Sequence, residues 1–385
     1  MSRIGGVARV ASVAALSAAA AGVAVLARST DWFASLGAGA TGARLDRMRR
    51  SPQWSAASQR FVNTNVTHTM LPGAAVRTLR LQVAGTEARY PSRPIPVEAR
   101  RRADFETPPA SGLRATWLGH ATALVEIDGA RILTDPVWSE RVSPSSLVGP
   151  RRFFEPPIAL DDLPRIDAVV ISHDHYDHLD METVKTLAGT GARFCLPLGV
   201  GAHLEKWGIP ADRIDEREWG EGGEIAGVTI TAAPARHFSG RRLSDRDATL
   251  WCSWVIAGPR HRVYYSGDSG YFEGYREIGR ASGPFDLTLM SLGAYGPTWP
   301  LIHMTPEELV QAQQDLRGEL LLPVHWATFN LAFHAWNDPA IRMAADARAH
   351  GVRFTIPRPG EMVEPAKLPE PASEPAPEPA EWWRE

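Results

Sequence analysis

Cysteine is almost absent from this chain: two residues in 385, Cys195 and Cys252. Both fall inside strand-like runs, so they read as core residues rather than a disulfide, and they say little about redox compartment. An excess of charge of one sign is missing as well. Lys and Arg number 41 against 44 Asp and Glu, a net charge of −3, and no basic stretch marks the catalytic half, so nucleic acid is not an expected partner. Only one apolar run, at the N-terminus, bears on a membrane. With 44% hydrophobic and 22% charged residues, the composition suits one large domain or two small ones.

What is abundant is histidine in one place. Ile171-Ser172-His173-Asp174-His175-Tyr176-Asp177-His178-Leu179-Asp180 follows an apolar run, Ile166–Val170, that reads as a short buried strand, and precedes a helical pattern starting at Met181. Three imidazoles and two further carboxylates packed this closely would leave buried polar groups unpaired unless a cation neutralised them. Imidazole nitrogen and carboxylate oxygen are the usual ligands of a transition metal. The competing reading is a solvated His-rich loop. Three later strand-like runs decide between them, because each ends on a candidate ligand: Val228–Arg236 on His237, Arg262–Gly267 on Asp268, and Leu320–Val324 on His325.

With these residues in view, the pattern H-x-H-x-D-H, a lone His, an Asp in Ser-Gly-Asp-Ser-Gly and a His in Pro-Val-His-Trp resembles the metallo-β-lactamase superfamily. Trp117–Thr122, Leu133–Val137, Gly149–Phe153, Gly283–Leu287, Gly293–Pro297, His303–Glu308 and His325–Phe329 further resemble the branch of N-acylphosphatidylethanolamine-hydrolysing phospholipases D. The resemblance covers about residues 110 to 345. It implies an α/β fold, the αββα sandwich of two mixed β-sheets flanked by helices, with metals at one edge. It also implies that His173, His175 and His237 hold one ion, that Asp177, His178 and His325 hold the other, and that Asp268 bridges them. Two divalent ions, with zinc favoured by histidine ligands and no thiolate, would then supply a hydroxide nucleophile at neutral pH.

Catalytic roles are expected for Asp177, for His303 beside the phosphate or the leaving alkoxide, and for His120 in the Gly119-His120-Ala121 turn. His334 is a weaker candidate. His203, His261 and His350 read as surface residues. Asp135 is expected either to orient a ligand histidine or to serve a turn. Asp174 should point away from the metals or bond a ligand imidazole, and Asp180 should cap the helix that follows.

Along the chain, Met1–Arg28 reads as a signal peptide or membrane anchor, which implies a membrane-associated or periplasmic enzyme over a cytoplasmic one. Residues 29–112 read as a short helical segment followed by an extended, proline-punctuated arm. Residues 113–363 form the hydrolase domain, with a hairpin turn at Asp128-Gly129. Strands are expected at 114–118, 122–127, 131–135, 168–172, 193–197, 228–235, 251–257, 262–267, 286–291, 320–324 and 352–356, and helices at 180–188, 273–281, 305–317 and 338–350. The Pro/Glu/Ala-rich stretch 364–385 is expected to be disordered, with no account of where Trp382 and Trp383 would dock.

The first functional reading is phosphodiester hydrolysis of a membrane phospholipid, supported by the apolar, aromatic loop Tyr295–Ile302 beside His303. The alternatives are a lactonase or other carboxylic ester hydrolase on the same site and, behind it, a non-catalytic membrane-anchored binding protein. Partners are accordingly a lipid or small-ester substrate and a membrane surface; a homodimer stays open.

Overall fold

The computed structural model describes residues 31–368 and 381–384. Its strands, in chain order, are β1 Trp54–Ser55, β2 Arg60–Phe61, β3 Leu113–Gly119, β4 Thr122–Ile127, β5 Ala130–Thr134, β6 Ala168–Val170, β7 Arg193–Pro197 and β8 Ile214–Arg217. They continue as β9 Gly222–Ile225, β10 Val228–Ala233, β11 Ser253–Ala257, β12 Arg262–Tyr265, β13 Leu287–Ser291, β14 Leu321–Val324 and β15 Met362–Val363. Asp128 at φ +48° and Gly129 at φ +94° supply the left-handed pair that turns β4 tightly into β5.

Apart from the β1–β2 hairpin, the strands form two sheets. The first runs β15-β3-β4-β5-β6-β7-β8, antiparallel as far as β5 and parallel from there to β8. The second runs β14-β13-β12-β11-β10-β9, parallel among β14, β13 and β12 and antiparallel beyond. Side chains alternate as a pleat requires. Ala123, Val125, Ile132, Ala168 and Val170 face a core shared with Ile230, Trp254 and Leu289 of the other sheet. Their neighbours Leu124, Leu133 and Val169 face the opposite way, onto Val184 and Leu187 of helix Met181–Ala188. Helices Gly274–Ser282, Pro306–Leu316 and Asp338–Ala349 cover the second sheet, with Leu309, Val310 and Met343 in the core. The result is helix, sheet, sheet, helix, as expected. Thr305 starts its helix through a capping box: Glu308 N–H donates to Thr305 Oγ1 at 3.3 Å, and Thr305 N–H donates to Glu308 Oε2 at 2.9 Å.

Three expectations change. The stretch 352–356 makes one bridge, Phe354 to Leu321, instead of a strand, and Pro357 and Pro359, which lack N–H donors, follow it. The arm is less extended than expected: it holds helices Asp31–Ser35, Gly42–Arg49 and Ala75–Ala84 and the β1–β2 hairpin, and Met48 and Phe61 pack on Leu198, Leu250 and Trp251. The end of the tail is docked. Trp382 and Trp383 are buried, and the Trp382 ring lies 5.3 Å from that of Trp326 and donates its indole N–H to Ile356 O at 3.1 Å. Composition predicts disorder for the Pro/Glu/Ala run, but two indoles offer enough apolar area to hold the end down. The expected signal or anchor at Met1–Arg28 lies outside the described residues. Among the described residues, no helix is long and apolar enough to cross a membrane.

Candidate metal centre

The predicted ligands gather where strands end. β6 runs into the Ile171–Asp180 loop, β10 reaches His237 through Pro234, β12 reaches Asp268, and β14 is followed directly by His325. Local geometry makes the approach possible. Gly267 sits at φ +54°, and a Cβ there would lie 2.4 Å from the Ser172 Cβ, so only glycine lets β12 meet the histidine loop. His120, Asp135 and His325 adopt left-handed backbone at φ +49°, +30° and +63°. Each such residue costs roughly 1–2 kcal/mol. All three are held there by hydrogen bonds: His325 N–H donates to His120 O at 2.8 Å, His120 N–H to Thr328 Oγ1 at 2.6 Å, and Asp135 N–H to Val170 O at 2.9 Å.

Two groups of side chains result. His173, His175 and His237 bring ligand atoms within 4.8 Å of one another, and His120, Asp177, His178 and His325 form a second such group. Asp268 reaches toward both. Its Oδ2 is 3.2 Å from His178 Nε2, 3.1 Å from His325 Nε2 and 3.8 Å from His237 Nε2. Thus all seven predicted ligands meet. His303 lies beside them, its Nδ1 3.9 Å from Asp268 Oδ2.

The donor set fits divalent cations. His178 Nε2 and His237 Nε2 are buried without a hydrogen-bond partner; the nearby carboxylate oxygens lack the alignment of a bond. A buried unpaired nitrogen costs about 1–3 kcal/mol, so two facing the same carboxylate need a further partner. Burial drives His173 and His237 well below the ordinary imidazole value, which leaves neutral rings with lone pairs to give. Burial acts the same way on His178, but the carboxylates of Asp268, Asp177 and Asp135 outweigh it and raise that ring. For Asp268 burial acts upward, yet the surrounding imidazoles, led by His325 and His178, hold it well below the carboxylate range.

His120 lies beneath the cluster. It is buried and does not line the cleft above the cluster. Burial pushes its ring down to about 3, so it is neutral, and its contact with Asp177 Oδ2 at 3.0 Å requires a proton on Nε2. It stands behind the Asp177 carboxylate, away from the cleft lining.

The carboxylates around the loop are satisfied by other means. Asp135 accepts from Ser172 N–H at 2.7 Å and from the Tyr265 hydroxyl, and lies 2.6 Å from His178 Nδ1, so it orients that ring. Asp174 points away and accepts from Gly240 N–H at 2.7 Å, Thr249 Oγ1 at 2.9 Å and His203 Nε2 at 3.2 Å. His203 is therefore buried, not a surface residue; Ala38 N–H donates to its Nδ1 at 3.0 Å. Asp180 occupies the N-cap position but makes no cap bond. Its carboxylate is taken by Trp138 N–H at 3.1 Å, Ser139 N–H at 2.9 Å and the Ser139 and Thr183 hydroxyls.

Arg241 is the residue that sequence reasoning missed. Its buried guanidinium donates to Asp174 O at 2.7 Å, Leu179 O at 2.9 Å and Ser35 O at 2.8 Å, and stacks 4.1 Å from the Tyr176 ring centroid. Its position four residues after His237 was the available signal.

Over the cluster opens a cleft of about 270 Å³. Its floor is His175, Asp177, His237, Asp268, His303 and His325, and its walls include Thr69, Phe238, Trp299, Ile302 and Leu331. The loop expected to face substrate thus contributes Trp299 and Ile302. Tyr295 instead bonds Asp338 through its hydroxyl and stacks on His334, 4.4 Å between centroids.

Residues 130–326 match the family described as "Beta-lactamase superfamily domain". A Mycobacterium tuberculosis protein is 52% identical over 289 residues, 74% of this chain and 76% of its own length. The Caenorhabditis elegans N-acyl-phosphatidylethanolamine-hydrolyzing phospholipase D 1 is 40% identical over 247 residues, 61% of this chain and 69% of that protein. Among solved structures, Igni18, described as a novel metallo hydrolase of Ignicoccus hospitalis, superposes with a TM-score of 0.52 at 25% identity, covering 65% of this chain and 97% of that one.

Proposed function

The chain belongs to the beta-lactamase superfamily, here a metal-dependent hydrolase, and from that premise we propose that it cleaves the phosphodiester of a membrane phospholipid, in the manner of an N-acylphosphatidylethanolamine phospholipase D. His173, His175 and His237 would hold one cation, Asp177, His178 and His325 a second, with Asp268 shared between them; zinc suits this set of nitrogen and oxygen donors. Cations bound there supply Lewis acidity, lowering the pKa of water toward 7 and drawing charge from a phosphoryl oxygen.

The protein's own groups do the rest. Asp135 fixes the His178 ring, and His120 fixes the Asp177 carboxylate. His303 opens onto the cleft and offers a ring N–H to a phosphate oxygen or to the departing alkoxide. In the overall reaction water adds to phosphorus, the P–O bond to the headgroup breaks, and the proton ends on the headgroup oxygen. For an N-acylphosphatidylethanolamine the products are phosphatidic acid and an N-acylethanolamine. Phe238, Trp299, Ile302 and Leu331 give acyl chains an apolar wall beside the polar floor.

The observation that carries this reading is that one cleft joins an apolar wall to a floor made by five of the seven predicted ligands, in a chain similar to a phospholipase D of that specificity. The test is zinc-loaded protein with bis-p-nitrophenyl phosphate and with an N-acylated phosphatidylethanolamine in detergent. Turnover of both is expected. Turnover of a lactone with neither diester cleaved would overturn the lipid reading.

A further inference from the structure

We propose that Val62–Ala84 is a docking element for an anionic lipid bilayer, with the outward ridge of helix Ala75–Ala84 as its contact face; this rests on the lipid-substrate reading and names the surface that serves it. The helix is turned inside out for a soluble protein. None of its ten residues is buried. Thr78 and Leu81, half-buried, mark the side that rests on the protein. Val76, Leu79 and Val83 recur at i, i+3 and i+7 on the opposite side and are 76%, 64% and 78% exposed. An ordinary surface helix puts its apolar stripe inward and its polar face out. Here the exposed ridge is aliphatic, and Met70, Val66 and Val62, earlier in the same segment, are exposed as well.

The segment is fastened to the catalytic cleft by its backbone and polar groups. Asn63 Nδ2 donates to His237 O at 2.8 Å, and His237 N–H donates to Asn63 Oδ1 at 3.1 Å. Arg236 donates to Thr67 Oγ1 at 3.0 Å and to Val66 O at 3.1 Å. Leu71 N–H donates to Thr298 O at 2.8 Å, and Thr69 lines the cleft. The polar side of the segment therefore grips the cleft rim while its apolar side chains point to solvent. A bilayer meeting that ridge would lie beside the cleft mouth.

Charge selects the occupant. Residues 62–86 contain no Asp or Glu, and Arg77 and Arg80, both exposed, make no ion pair among the described residues. On the helix Arg80 adjoins the aliphatic ridge and Arg77 follows it on the same side, so cationic residues border the apolar face as in an interfacial helix. A second copy on the same face would bring arginine against arginine, whereas anionic headgroups complement them.

The test labels the ridge. Cys195 and Cys252 are buried and free, so a maleimide bimane attaches selectively to Leu79→Cys or, as control, to Ala345→Cys on helix Asp338–Ala349. The full chain is mixed with phosphatidylcholine vesicles with and without phosphatidylglycerol, carrying chain-labelled doxyl lipid. Quenching is expected at position 79, on phosphatidylglycerol vesicles, and not at 345. Arg77→Ala with Arg80→Ala should raise the lipid needed for half-maximal quenching about tenfold. No quenching at 79, equal quenching at both positions, or a blue shift that grows with protein concentration in the absence of lipid would each overturn the proposal, the last in favour of a second copy. Bis-p-nitrophenyl phosphate turnover, measured on the same samples, separates the two readings. Its loss with quenching intact strikes only the catalytic one, and the reverse strikes only the docking one.

Discussion

The Ile171–Asp180 loop has two sides that obey opposite rules. On the inner side His173, His175, Asp177 and His178 crowd together with His237, Asp268 and His325, and buried nitrogens such as His178 Nε2 lack partners. On the outer side Asp174 and Asp180 are buried carboxylates too, yet they are filled with N–H and O–H donors. Asp174 and Asp177 are three residues apart and have different occupations. A polar group that the fold has already satisfied is scaffold; one left unsatisfied at the cost of burial is held for something the chain itself does not contain.

That contrast can be broken from either side. The largest effect belongs to the inner face: His178→Ala or Asp268→Ala should lower diester turnover roughly a thousandfold or more while the circular dichroism spectrum stays unchanged. Retention of a tenth of the activity would remove these residues from the site. Next comes Asp135→Asn, which keeps the shape but weakens the hold on His178. Zinc affinity should fall about 10- to 100-fold in competition titrations with a chromophoric chelator.

Outer-face changes should register as stability before activity. Arg241→Met strips three buried carbonyls of their donor, and urea unfolding should show a loss of about 3 kcal/mol. A larger effect on turnover than on stability would contradict the division into two sides. The smallest effect is expected at Asp174. Burial acts to raise its carboxyl, but the bond and charge of His203, the His175 ring and the Gly240 N–H prevail and hold it below its ordinary value. A carboxylate lowered in this way stabilises the fold fully above its unfolded value near 4, and that contribution disappears as the pH falls below it. Asp174→Asn should therefore cost about 1–2 kcal/mol at pH 7, with the difference from the parent closing below about pH 4 in thermal melts.

Much of the fold was legible because its signals are local. Apolar runs of strand length, the Asp128-Gly129 turn and the Thr305–Glu308 capping box each act within a few residues, and the elements formed near where the pattern put them. The short polar strands β8 and β9 carry weak patterns and went unnoticed, since their pairing partners supply most of what makes them strands. The arm and the tail were misjudged for a related reason. Proline content and low apolarity describe average behaviour, while Phe61 and Trp382 are single side chains with a particular hole to fill.

The sequence alone determined the chemistry on offer: five histidines and two aspartates at strand ends and no thiolate among them, and hence the kind of cation they suit. Spacing within H-x-H-x-D-H also set which side chains of one loop could converge. Only the tertiary structure decided the partners of each acid: that Asp135 serves His178, that Asp174 serves His203, and that His120 stands behind Asp177 instead of in the cleft. It also decided that the helix at Ala75–Ala84 shows its aliphatic side to solvent beside that cleft. The reason is the range of the forces. Residue type and local spacing fix what a side chain can bond, but which buried donor reaches it depends on contacts made across separations of tens to hundreds of residues.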